Sequence, residues 1–163
     1  MSNPFKSVLS IKDTEQFFYQ TNVKAAPVIS AAGRSDSYAR DILDLACAMM
    51  DINNECTITY AELDKNLCIK QSRTRLKSIN ILRMLNLIET RNGNKKGVVL
   101  FRINANAFSK TSLRIKENDI RFCEDLCHEM IGKDGKVNPK CIETYRYYDK
   151  NQEKIEKFDG LPF

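Results

Sequence analysis

Apolar positions along this chain recur mostly at helical spacing, and near the middle they switch to the pattern of short strands. Ile42, Leu45, Cys47, Ala48 and Met49 follow Ser35 and Asp36, either of which can act as an N-cap, so residues 37–51 are expected to form a helix. "CTIT" at 56–59 is a β-branched run long enough only for a minimal strand. It leads into "TYAELDKNL", where Thr59 and Glu62 have the spacing of a capping box and predict a second helix over about residues 60–67. After a break at "CIKQS", a third helix runs to about residue 85, with Leu76, Ile79, Leu82 and Leu85 as its inward set. Residues 88–91 then read as a strand, "NGNKKG" as a turn, and residues 98–103 as the returning strand of a hairpin.

The ends of the chain carry other patterns. "DTEQFFYQ", from Asp13, predicts a short helix burying Phe17 and Phe18, and "KAAPVISAAGRSD" has the small residues, Pro27 and Gly33 of a connector. Residues 1–36 are therefore expected to be an N-terminal arm or helix. Beyond the hairpin, residues 116–131 read as one helix with a buried stripe of Ile120, Cys123, Cys127 and Met130. "GKDG" is then a turn, and residues 139–158 are a second helix opening on Pro139. Its Cys141, Tyr145, Tyr148, Gln152 and Ile155 form a short, partly polar seam that serves either packing onto the domain or pairing with a second copy.

Charge changes the picture more than composition does. The chain carries +5 overall, but residues 70–116 hold twelve basic side chains against one acid, Glu89, while residues 1–69 and 117–163 each stand at −3. A run this one-sided is the electrostatic footprint of a polyanion site. No apolar run approaches the roughly 18 residues of a membrane span, and the N-terminus lacks the pattern of a secretion signal. The expectation is a cytoplasmic protein without membrane association, close to the nucleoid if bacterial, with its six cysteines reduced and mostly buried.

Catalytic and metal chemistry find little support. Cys123, Cys127 and the single histidine, His128, form a conceivable metal cluster with Cys141, but they lack the tight C-x-x-C spacing of zinc knuckles, and a buried helix face explains the thiols. Cys127 and His128 are sequence neighbours that would point about 100° apart on a helix, which does not suit a nucleophile and its base. "GRSDS" and "GNKKG" do not have the spacing of a P-loop. No catalytic residue, metal or cofactor is expected.

The order helix, short strand, helix, helix, strand, turn, strand is carried by "TITYAELDKNLCIKQSRTRLKSINILRMLNLIETRNGNKKGVVLFRI", which resembles the core of bacterial winged helix-turn-helix DNA-binding proteins over about residues 37–108. "LRMLNLIETR" has the cadence of helix end and basic strand end common in that family, with Asn86 where Gly is frequent; Asn also tolerates the left-handed conformation. The resemblance implies a mainly α fold with a small β-hairpin: a winged helix-turn-helix domain over residues 37–108 with extra N- and C-terminal helices, the latter over residues 109–163. It also implies a recognition helix reaching double-stranded DNA through Gln71, Ser72, Arg73, Thr74 and Arg75, with Lys77 and Ser78 one turn on. Lys70, Arg91, Asn94, Lys95 and Lys96 complete the candidate set with Tyr60, which serves either as a phosphate donor or as a packed aromatic. The implied function is a dimeric, sequence-specific transcriptional regulator without enzymatic activity. A replication-initiation or plasmid-maintenance factor, or a protein-interaction module that does not bind DNA, is the alternative.

Overall fold

The computed structural model describes residues 18–143 and 145. The predicted helix from Asp13 lies largely outside these residues, as does most of the predicted 139–158 helix.

Asp36 sets the first corner of the fold. Its extended backbone ends α1 (Ala26–Ser35), and its carboxylate accepts the Ala39 amide at 3.1 Å to cap α2 (Ser37–Met49). α1 occupies the stretch expected to be a connector. Pro27 lies in its first turn, where a missing N–H is tolerated, and Val28, Ile29, Ala31 and Ala32 form its buried face. Alanine is the strongest helix former, and its small side chain lets α1 approach α2 closely. On α2 the helical period holds but the buried face is turned: Ile42, Leu43, Ala46 and Cys47 are buried, Leu45 is half-buried, and Ala48 and Met49 are exposed.

The chain then enters β2 (Glu55–Thr59) through Asn54, which adopts a left-handed conformation at φ 59°. The Thr59/Glu62 capping box is present at the start of α3 (Tyr60–Leu67), with both reciprocal bonds at 3.1 Å. α4 (Ser72–Met84) follows a four-residue turn, and Asn86, at φ 56°, redirects the chain after it. β3 (Ile88–Asn92) and β4 (Val98–Ile103) form the hairpin. β2 pairs along its whole length with β4, giving an antiparallel sheet in the order β2-β4-β3. Its inner face, with Cys56, Ile58, Val99, Phe101 and Ile103, joins the core shared by α1, α2 and α4. A second, two-stranded sheet pairs β1 (Gln20–Thr21) with β5 (Phe108–Ser109). No described helix is long and apolar enough to cross a membrane.

The fold is therefore mixed α/β, with two small antiparallel sheets, and the expectation of a mainly α winged helix-turn-helix protein with added terminal helices is corrected. "CTIT" belongs to a full five-residue strand, because β4 offers it a complete ladder. The segment after β5 departs furthest from expectation. The predicted 116–131 helix is absent: only His128–Met130 forms a single 3-10 turn, and Ile120 is 70% exposed. The stripe is real in the sequence, but its backbone groups are engaged elsewhere. The carbonyls of Phe122, Glu124 and Asp125 accept from the Ala105 amide, the Asn104 and Asn106 side chains, and the Asn86 side chain, while the Cys127 amide donates to the Leu85 carbonyl. Those tertiary bonds replace the helical ladder. A helix does begin at Pro139, and Cys141, Ile142 and Tyr145 pack back on the core.

The irregular segment is latched by Arg121. Its guanidinium donates to both Asp119 carboxylate oxygens at 2.9 and 2.6 Å, to Ser109 Oγ at 2.7 Å, and to the Ser112 carbonyl at 2.8 Å. Both partners are more than nine-tenths buried. The hydrogen bonds from Arg121 hold the Asp119 carboxyl well below the usual carboxylate range, against the opposing effect of burial.

Two stability predictions follow from these bonds. Asn104 is fully buried and its amide donates at 2.7 Å to two backbone carbonyls, so Asn104→Ala is expected to lower the unfolding free energy by about 2–4 kcal/mol in urea titrations. The depressed Asp119 contributes stability above its unfolded value, near 4, and loses it as pH falls toward the folded value. Asp119→Asn should therefore be less stable than the parent at neutral pH, with the gap closing below about pH 4.

Candidate nucleic-acid interface

The sequence-predicted basic residues divide into those engaged inside the molecule and those free to meet a ligand. Lys70 and Gln71 lie in the turn before α4, exposed, while Ile69 beside them is buried and its amide bonds the Asp64 carbonyl at 2.9 Å. That buried anchor fixes how the helix starts. Gln71 is the N-cap and makes no side-chain capping bond; no acid stands in the first turn. α4 thus opens at a short surface bearing exposed Lys70, Ser72 and Arg73, with Thr74 half-buried behind them and its amide on the Gln71 carbonyl at 3.1 Å. The positive end of a helix dipole and nearby cations both favour an anion.

Arg75 does something else. Its guanidinium pairs with Asp64 and lies 4.2 Å from the centre of the Tyr60 ring, leaving its side chain only 16% exposed. It ties α4 to α3 through charge and ring contact, and is not a free base reader. Tyr60 is accordingly a packed aromatic, and its backbone amide donates to the Gly97 carbonyl at 2.8 Å. Ser78, expected at the interface, is fully buried: its hydroxyl lies 3.0 Å from both Asp36 Oδ1 and the Thr74 carbonyl. Lys77 is 3.9 Å from the other Asp36 oxygen and remains partly exposed.

On the hairpin, Asn94, Lys95 and Lys96 are exposed at the tip, and Arg91 reaches only a loose 3.6 Å contact with Glu89. Asn92 belongs to β3, paired with Val99. The backbone device of the turn is Gly97, at φ 82°, whereas Gly93 is needed for room, since a Cβ there would come 2.7 Å from Val98 Cγ1. The chain of contacts Gly97 to Tyr60 to Arg75 joins the base of the tip to the first turns of α4.

The twelve cations of residues 70–116 do not form one surface. Arg102 bridges Glu55 at 3.2 Å and Glu89 at 2.7 Å across the outer face of the sheet, and donates to the Ile120 carbonyl at 2.7 Å. It lies four residues along β4 from Val98, roughly 13 Å at the usual strand rise. Arg114 and Lys116 line a separate cleft of ≈620 Å³ with Ile52, Asn53 and Ile120, beside that end of the sheet. Leu76 was expected to point inward with Ile79, Leu82 and Leu85; those three are buried, but Leu76 is 49% exposed. Its position one turn after Ser72 and Arg73 was the available signal, since residues three and four apart share a helix face.

Among the described residues no group of three or more His, Cys, Asp or Glu side chains is placed to hold a metal ion. The His128 ring nitrogens lie 3.2 and 3.3 Å from the Leu126 and Lys24 carbonyls. Burial pushes the Cys56 thiol up to about 11 and the Cys47 thiol higher still. No protein-family model, curated protein or solved structure matches the chain.

The two arginines are separable by measurement. Arg75→Ala should destabilise the fold by about 1–2 kcal/mol, because it strips Asp64 of its cation and Tyr60 of its ring partner. Arg73→Ala, on an exposed position, should stay within about 0.5 kcal/mol of the parent in the same urea titration.

Proposed function

We propose that this chain binds double-stranded DNA, with the first two turns of α4 in the major groove and the 93–97 tip on neighbouring phosphates, and that it acts as a sequence-specific regulator of transcription without catalysis. The observation that carries this reading is the contact chain from Gly97 through Tyr60 to Arg75, which ties an open, acid-free helix start to a basic hairpin tip. Exposed Arg73 and Gln71 are of the types that hydrogen-bond guanine and adenine edges, and Lys70, Lys95 and Lys96 suit phosphate oxygens. Counterion release from those phosphates supplies affinity, and the helix supplies choice of sequence. One such helix reads few base pairs, so two copies on a symmetric site form part of the proposal.

Selection of duplexes from a random pool by the purified protein tests it. Recovery of a defined, two-fold symmetric motif is the expected result, and no enrichment at moderate salt overturns it. On the selected site Arg73→Ala should lose about 1–3 kcal/mol more than on scrambled duplex. The paired change Lys95→Ala with Lys96→Ala should weaken both duplexes alike and reduce the steepness of the salt dependence by about two. Light scattering of the free and DNA-bound protein checks the two-copy stoichiometry.

A further inference from the structure

We infer that Leu76 is a specificity-determining residue, reading the C5-methyl group of a thymine in the major groove; this rests on the proposal that α4 enters that groove. Of the residues that sequence pattern assigned to the interior of α4, Leu76 alone faces outward, 49% exposed, and it takes no part in the core that contains Ile79, Leu82 and Leu85. Its helical neighbours one turn back, Ser72 and Arg73, are both exposed. Arg75 is withdrawn to Asp64 and Tyr60, and Ser78 is buried beside Asp36. The outward side of the first two turns therefore presents one apolar side chain next to the Ser72 hydroxyl and the Arg73 cation, with the partly exposed Lys77 one turn beyond Arg73.

Charge selects the occupant of that side. An apolar partner protein would have to cover Arg73 and Lys70 along with Leu76, leaving cations desolvated, whereas duplex DNA presents phosphates to the cations and a single kind of apolar group to the isobutyl chain. In the major groove that group is the thymine methyl, which no other base pair offers. Leu76 cannot hydrogen-bond, so its contribution is confined to excluding water from that methyl and to rejecting the polar edge of cytosine at the same position.

Uracil, which differs from thymine only by lacking this methyl, provides the test. The parent protein, Leu76→Ala and Leu76→Met are titrated with the selected duplex and with duplexes carrying uracil in place of each thymine in turn. The parent should lose about fourfold in affinity at one position per half-site, the effect of one buried methyl group. Leu76→Ala should bind the thymine duplex more weakly and show no preference there, and Leu76→Met should recover part of it. Circular dichroism melting confirms that the Ala variant is folded, as expected at an exposed position. A parent protein that selects a motif yet ignores every uracil overturns the role of Leu76 alone. Unchanged discrimination in Leu76→Ala overturns it as well. Failure to select any duplex sinks this inference together with the DNA-binding proposal.

Discussion

Buried polar groups must find partners, and in this protein two fully buried asparagines at the end of β4 supply them. The Asn54 side-chain amide donates to the carbonyls of Ile103 and Phe108, at 3.2 and 2.7 Å, and the Asn54 backbone carbonyl accepts the Ile103 amide at 2.8 Å. Asn104 donates to the carbonyls of Asn86 and Glu124, and its backbone carbonyl accepts the amides of Ala107 and Phe108. Between them they join the start of β2, the exit from α4, β5 and the irregular segment after it. A buried carbonyl stranded by the loss of such a bond costs about 1–3 kcal/mol. With these bonds made, the sheet keeps its inner face on α2 and α4. The C-terminal half of α4 is enclosed, and its first two turns project.

That division of α4 governs its electrostatics. A formal count makes residues 70–116 overwhelmingly positive, yet Arg102 is engaged by Glu55 and Glu89, Arg75 by Asp64, and Lys77 approaches Asp36. Three of those four acids lie outside the basic stretch in sequence. What remains for a ligand is a smaller set at the helix start and the hairpin tip, with Arg114 and Lys116 on a separate cleft. The cations left free are fewer than the raw total implies, and they sit on neighbouring elements.

Much of the local structure was legible. The Thr59/Glu62 capping box, the Asn86 reversal and the hairpin are set by interactions within a few residues, and those appear as anticipated, with β3 one residue longer than expected. α1 was hidden because only Val28 and Ile29 of its buried face are large and apolar, the rest being alanine, while Pro27 and Gly33 read as breakers. The 116–131 stripe misled for the opposite reason. Its spacing suits a helix, but Asn86, Asn104 and Asn106, distant in sequence, capture its carbonyls. In the candidate site, Arg73, Lys95 and Lys96 were identifiable by type and position. The withdrawal of Arg75 and Ser78 was not, since it depends on Asp64, Tyr60 and Asp36 from other elements.

The sequence by itself determined the starts of α2 and α3, the hairpin turn and the local excess of positive charge, because each arises from neighbours along the chain. Tertiary structure decided that the fold is mixed α/β, that β2 becomes a full strand by pairing with β4, and which cations stay unpaired. It also decided that Leu76 faces solvent while Ser78 does not. Those outcomes rest on long-range pairing and desolvation, whose energies belong to the assembled core and not to any single segment.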